Sequence, residues 1–548
     1  MEVRNFVTAA SRRSDATAWL AARRNQAAGR LAAMGKPSES EEHWRYSIID
    51  DLDMDDLVPA TTYDTAWSAM PGQRVFRPAD GSAAGISDVI SAAVAYAREV
   101  AAKLKGSYGA LAVLYDGIPV VFEAGVGQDA GSHVDGSGSH VEDPGKGGNA
   151  GKDRDAGKDD YTGSKITLDP TGQSDLDFLS LFDAHEWPDA LQELHDAFGP
   201  EPAILRIPDG VTLEQPVVVV NLASIMPTTT TASPALTAPT PTAPTPTAPT
   251  AAITATSAPA AVAHAAAPDG RTPVSFSTLG IDMGTGARAS VVEIVTALPP
   301  APGITSMDNA PGGQEKPRSL FMPATLANLS DNSTLNYVNI QVLPQGFWQL
   351  SRLQSLLGNG AQFRSLAVSL GGTYARTVTE STLAGSQSST ELLAAYLGSS
   401  NQVHDMRTVQ RHVAKRTASN LLFVGAAGDQ ARAVYSGLIK MEPGAKTSDA
   451  LQTNRNLILS EGAKADSVPN LSIEENDVRC SHASSTGPVD SEQIYYLETR
   501  GIKPEEAKRL VARGFFTDIH AKNPIPGTDA WLTNEIEDRM QRMENDNA

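Results

Sequence analysis

The chain has 548 residues, room for roughly three or four domains. Its 64 acidic against 44 basic side chains leave a formal charge of −20 and a pI near 4.9. That balance argues against a dedicated nucleic-acid or anionic-membrane binder, because neutralising phosphates takes a basic face. The single cysteine, Cys480, excludes an intramolecular disulfide framework, a CxxC zinc site and a cluster held by several thiols of one chain.

The N-terminus carries paired arginines (Arg12–Arg13, Arg23–Arg24) and no continuous apolar stretch, so it does not read as a secretion signal. No apolar run reaches the roughly 18–20 residues that span a bilayer. A cytoplasmic protein is expected. Residues 11–34 read as an amphipathic helix with Trp19, Leu20, Ala27, Leu31 and Met34 on one face, stopped by Gly35 and Pro37. A loose acidic, aromatic segment follows, from Glu41 through Trp44 and Tyr46 to Asp56. Residues 87–105 form a second helix, with Val89, Ala93, Ala97 and Val100 on its stripe.

Strand chemistry begins with a hairpin, Leu111–Tyr115 and Ile118–Phe122 around an Asp116–Gly117 turn. Residues 174–198 look helical, and strands return at Ile204–Ile207 and Val217–Leu222. Three segments, 127–165, 227–272 and 298–318, read as disordered insertions. In the second, proline fixes φ and removes donors, which favours an extended, solvated chain. Between about 274 and 480, short β-prone runs such as Ala289–Ile294, Phe363–Val368 and Ala431–Ile439 alternate with Gly-Ala or Gly-Gly turns. The Gly444-to-Gly462 spacing reads as about one solenoid coil. Strands do not alternate with helices, so a doubly wound sheet is not expected; a parallel β-helix fits better than a β-sandwich.

After Pro488 the chain turns helical. Asp490 is the expected N-cap, with Ile494, Tyr496 and Leu497 on the buried side and Gly501 just past the end. Pro504 opens a second helix whose stripe is Ala507, Leu510, Val511, Phe515 and Ile519. That stripe is expected to cap the end of the solenoid. Lys522–Ala548 is weakly patterned.

Enzyme motifs are scarce. There is no GxxxxGK[ST] loop and no HExxH, and Gly280, Gly284 and Gly286 have the wrong spacing for a dinucleotide turn. The concentrated signal is Cys480-Ser481-His482. Two residues apart on a strand, thiol and imidazole share one face. Both are metal ligands, and they are also able to pair as thiolate and imidazolium. The plainer reading is a small packed cysteine beside a hydrogen-bonding histidine. His404 and His412, eight residues apart, read as structural or surface residues.

The stretches AVYSGLIKMEPGAKTSDALQTNRNLILSEGAKADSVPNLSIEENDVRCSH (433–482) and GPVDSEQIYYLETRGIKPEEAKRLVARGFF (487–516) resemble the SufB/SufD family of iron–sulfur cluster assembly proteins, SufD above all. Weaker matches are EEHWRY (Glu41–Tyr46), IPDGVTLEQPVVV (Ile207–Val219) and SLGGTYART (Ser369–Thr377). The resemblance implies a mainly β chain: a right-handed parallel β-helix core over 106–483, flanked by helical regions at 1–105 and 484–548. It implies a non-catalytic scaffold of a SufBCD-type complex. His482, with Cys480 as its neighbour, is then the candidate iron or cluster ligand at the interface with a SufB-like sister. A SufC-like ATPase is expected on the C-terminal helical region, with Tyr495, Leu497, Arg500, Gly501, Phe515 and Phe516 as candidate contacts. Homodimer formation is open to the chain when it is alone. No cofactor is expected on this chain by itself; the nascent iron–sulfur cluster or iron belongs to the complex, and no nucleic acid or membrane partner is implied. Family members usually read CSHGAT where this chain has Ala483-Ser484-Ser485 after CSH, so the local backbone is open to change. The rival readings are a β-solenoid polysaccharide hydrolase or lyase, and a plain protein-binding solenoid with an inert CSH segment.

Overall fold

The computed structural model describes residues 18–59, 65–70, 73–78, 83–104, 108–124, 167–170, 175–183, 186–187, 189–224, 271–298 and 319–545. The segments 127–165, 227–270 and 299–318 lie outside the described residues, while Thr272, assigned above to an insertion, opens a strand.

Successive strands go to opposite sheets. One sheet runs, in spatial order, through Ala203–Ile207, Thr272–Met283, Ser319–Leu329, Phe347–Leu357, Tyr374–Leu383, Val403–His412, Arg432–Met441 and Lys464–Ile473. The other runs through Ala110–Tyr115, Val217–Ala223, Arg288–Ala297, Thr334–Gln341, Gln362–Ser369, Ser389–Gly398, Ala418–Ala427, Ser448–Ile458 and Val478–Pro488. Pairing is parallel throughout this body, which makes it the expected β-solenoid. At the starting end each sheet adds one antiparallel strand, Thr167–Pro170 and Ile118–Ala124. The second of these is the expected hairpin, and its turn uses positive φ at both Asp116 (45°) and Gly117 (79°).

Side chains alternate between a space enclosed by the sheets and their outer faces. Leu392, Ala394 and Tyr396 point inward to Leu421, Phe423 and Tyr435; Leu393, Ala395 and Leu397 point outward. Strands buried on both faces read as continuous apolar runs. The register corrects the coil length: Tyr374 pairs with Val403 and Val403 with Arg432, each 29 positions on. Gly444 and Gly462 therefore stand about half a coil apart, at opposite corners, because each coil holds two strands and two corners.

One corner is a column of left-handed residues: Gly286, Asn332, Gly360, Gln387, Arg416 and Thr447 all have positive φ. Each donates its N–H to a corner carbonyl of the next coil, as Asn332 does to Asn359 (2.8 Å) and Arg416 to Lys446 (2.8 Å). This satisfies corner groups that strand pairing cannot reach.

Both outer faces are covered. The helix Ala18–Ala33, the segment after it and the helix Ala190–Phe198 lie on the first sheet. The acidic segment is docked rather than loose. It forms three 3-10 turns and buries Trp44, Ile49, Leu52, Met54 and Leu57 against Phe276, Met322, Trp348 and Val434. The helix Ala83–Ala102 and the C-terminal helices cover the second sheet through Ala97, Val100, Ala512, Phe516, Ile519, Leu532 and Ile536. Two expectations are corrected here. These helices lie on the broad face and leave the end open, because the apolar outward row of Leu393, Leu397, Val424 and Leu457 is there to be buried. The buried stripe is Ala507, Ala512, Phe516 and Ile519, with Leu510 42% exposed, because the helix breaks at Phe515 and the next, Thr517–Lys522, resets the phase. The weakly patterned tail contains a helix, Asp529–Asn545, that buries Trp531, Leu532, Ile536, Met540 and Met543.

Candidate functional site at the open end of the solenoid

Among the described residues the terminal strands, Lys464–Ile473 and Val478–Pro488, each have one strand neighbour and one free edge. The last strand keeps an unbroken register with Ser448–Ile458, so the missing glycine after His482 leaves regular β backbone. Cys480 sits beside Ala450, His482 beside Gln452 and Ser484 beside Asn454. Those three neighbours are buried, and Asn454 donates to the Tyr396 hydroxyl (2.9 Å) inside the solenoid. In a parallel ladder the three newcomers share that inward direction. Ser484 confirms it by donating from Oγ to Ser467 Oγ on the opposite strand at 2.7 Å.

The sequence thus places Cys480 and His482 on one face correctly, and the fold turns that face into the mouth of the solenoid. His482 is exposed; Cys480 is half-buried against Ile439, Met441, Ala445 and Ala450. Desolvation, followed by the nearby Asp449 carboxylate, raises the Cys480 pKa, which favours the protonated thiol over the thiolate. Sequence reasoning missed the facing wall. Ser467, Pro469, Leu471 and Ile473 continue the inward row of Tyr435, Gly437, Ile439 and Met441, and Leu471 and Ile473 are 41% and 43% exposed. Only the register reveals them. Among the described residues no three His, Cys, Asp or Glu side chains converge as a metal site. One imidazole and one thiol at an open mouth supply at most part of a ligand set.

Beyond the last strand, Asp490 caps the helix Ser491–Thr499 by accepting from Glu492 N–H (2.9 Å). At its other end Gly501 (φ 85°) donates to Glu498 and Ile502 donates to Leu497, a Schellman closure. Against expectation this helix buries no residue; Tyr495 and Tyr496 are 69% and 57% exposed, and the Arg500 guanidinium lies 5.1 Å over the Tyr496 ring. Leu497 is half-buried. Phe515 is also half-buried, under Arg455 at 5.3 Å, and Phe516 is spent inside the chain's own core.

The remaining sequence candidates lie apart from the mouth. His404 and His412 close opposite ends of one strand and are buried. His404 Nδ1 meets Ser369 Oγ at 2.9 Å; His412 meets Thr417 and Ser419 hydroxyls at 2.7 and 2.8 Å. Burial lowers their pKa values to about 3 and about 4, so both are neutral structural residues. Glu41–Tyr46 is a strap across three coils, the third reached where the Arg432 guanidinium lies 5.6 Å over the Tyr46 ring. Arg376 donates to His43 O (2.7 Å), Arg407 donates to Arg45 O (2.6 Å), and the Arg376 guanidinium lies 3.8 Å over Trp44. Buried Asp405 holds both arginines. Burial alone would raise its pKa, but Arg407 and Arg376 outweigh that and hold it below the usual value.

Residues 265–515 match the family model described as SUF system FeS cluster assembly, SufBD core domain. Over that stretch the chain is similar to the SufBD core. The stretch contains most of the solenoid, the Cys480–His482 strand and the first two C-terminal helices. The chain is similar to an iron–sulfur cluster assembly SufBD family protein of Mycobacterium leprae, 38% identical over 199 residues, 35% of this chain and 51% of that one. It is also similar to the iron–sulfur cluster assembly protein SufD of Bacillus subtilis, 39% identical over 26% of this chain and 33% of that one. The Escherichia coli SufD is 28% identical over 44% of this chain and 53% of that protein. The chain thus spans about half the length of the curated mycobacterial relatives it matches. No described helix is long and apolar enough to cross a membrane.

Proposed function

We propose that this chain is a non-catalytic scaffold subunit of a SufBCD-type complex that assembles iron–sulfur clusters in the cytoplasm. The observation that carries the reading is the open terminal coil. It presents two free strand edges, two exposed aliphatic side chains and His482 in one mouth, all of which a second β-solenoid would cover. A SufB-like sister is the expected partner there, with a second copy of this chain as the substitute when the sister is missing. His482 then faces the junction, where other ligands come from the partner; iron or the nascent cluster is cargo. The SufC-like ATPase docks on Ser491–Phe515. A nine-residue helix with no buried side chain is marginal alone, and its exposed tyrosines are the anchors a partner would bury. Relatedness to iron–sulfur assembly proteins weighs against a polysaccharide-cleaving solenoid.

His482→Ala tests the reading. The side chain is exposed, so the thermal midpoint should change little, with stability falling by at most about 1 kcal/mol. The purified complex should keep its subunits and lose iron and acid-labile sulfide. Full cluster content in the mutant would make the imidazole a bystander. Cys480→Ala is the companion: it should be the milder of the two if the thiol only packs.

A further inference from the structure

A separate cleft lies on the outer face of the first sheet, three strands in from the open edge, between the Glu41–Tyr46 strap and the start of helix Ala190–Phe198. Its non-atom space, open solvent at the mouth included, is about 690 Å³, so it is a shallow cleft for a small guest. Two of its lining side chains carry buried donors that meet no acceptor. Trp44 is 1% exposed, and its Nε1–H is unpartnered. Arg352 donates from Nη2 to Asp196 at 2.6 Å, while its Nε and Nη1 are buried and unpartnered.

These groups donate and cannot accept, so only an acceptor satisfies them, and a guanidinium is met best by an anionic oxygen. Left unmet they are costly, which is why buried polar groups are almost always paired. The rest of the lining sets the size and charge of the guest. Leu350, Val378 and Trp187 offer an apolar wall. Asp189 and Glu380 line the cleft beside Arg352 and Arg376, so anions match cations in number and a polyanion such as a nucleotide is disfavoured. We infer that this cleft binds a small, singly charged organic carboxylate, its carboxylate toward Arg352 and Trp44 Nε1 and its apolar body along Leu350 and Val378. None of the groups involved belongs to the open end, so the inference stands independently of the assembly role.

The test uses the full-length chain and ligand-observed NMR with phenylacetate, hexanoate and the neutral phenylacetamide. Phenylacetate should bind, and phenylacetamide should bind at least about tenfold more weakly, since it keeps the shape and loses the charge. Arg352→Gln should cost at least about tenfold in phenylacetate affinity with its circular dichroism spectrum unchanged. Trp44→Phe keeps the packed ring, removes only the N–H and should weaken binding several-fold. Equal binding of acid and amide overturns the inference. So does failure of both carboxylates to bind at millimolar concentration, or undiminished binding in either folded variant. Should Arg352→Gln fail to fold, the acid–amide comparison on the native chain and Trp44→Phe decide the matter.

Discussion

His412 shows how one residue's surroundings set both its role and a measurable pH response. Its imidazole is buried between two hydroxyls and stays neutral down to about pH 4, whereas in the unfolded chain it takes up a proton near pH 6.5. Between those values the unfolded state binds the extra proton, so stability falls as pH falls, by up to about 1.4 kcal/mol per pH unit for this group. Above pH 6.5 both states are neutral and the contribution is flat. His404, lowered to about 3, adds to the same slope. Denaturant midpoints measured at pH 7.5 and 5 should therefore differ less in His412→Asn than in the native chain. An unchanged difference would mean that the ring is protonated in the fold. His482, exposed at the mouth, has no such burial.

At the scale of elements, the C-terminal helices divide between core and solvent. Asp529–Asn545 and the second half of Pro504–Phe515 complete the core over the second sheet, while Ser491–Thr499 buries nothing. Removing everything after Thr486 would strip the sheet, so loss of ATPase binding in such a truncation would report unfolding. Point changes separate the roles. Leu532→Ala, at a site 1% exposed, should cost about 2–5 kcal/mol and lower the urea midpoint. Tyr495→Ala with Tyr496→Ala should leave that midpoint in place and weaken co-purification of the proposed ATPase partner. A fall in stability for the tyrosine pair equal to that of Leu532→Ala would show that the first helix is packed in solution.

For the whole molecule the two ends differ in kind. Among the described residues the start ends in two short antiparallel strands and the finish in two long parallel ones, each with a single strand neighbour. Leu471→Lys with Ile473→Lys places charges where a partner would seat, a common device for blocking edge pairing. On the proposed role, the variant should sediment in analytical ultracentrifugation as a monomer where the native chain self-associates or captures the proposed sister, with an unaltered thermal midpoint. Association that survives the lysines would move the interface elsewhere. A second expectation concerns segment 227–268, which joins Val217–Ala223 to Thr272–Met283. Deleting it should leave the midpoint within a few degrees, because closure entropy varies only with the logarithm of loop length. A collapse of soluble yield would make the segment part of the fold.

What the sequence determined by itself is whatever acts within a few residues. Asp116–Gly117 set the hairpin, Asp490 and Gly501 bounded a helix, Pro504 opened the next, and alternation put Cys480 and His482 on one face. Corner glycines such as Gly286 and Gly360 were visible, but Gln387, Arg416 and Thr447 fill the same left-handed role without a glycine signal, held there by hydrogen bonds to the next coil. Parallel pairing joins residues about a coil apart, and nothing local marks which partner will arrive. Tertiary structure alone therefore decided that the acidic segment docks on three arginine-bearing coils, that Ala512 and Phe516 rather than Leu510 face the core, and that the final coil has no neighbour. The inward face of the CSH strand becomes an exposed mouth because that coil is last: the same side chains one coil earlier would be buried.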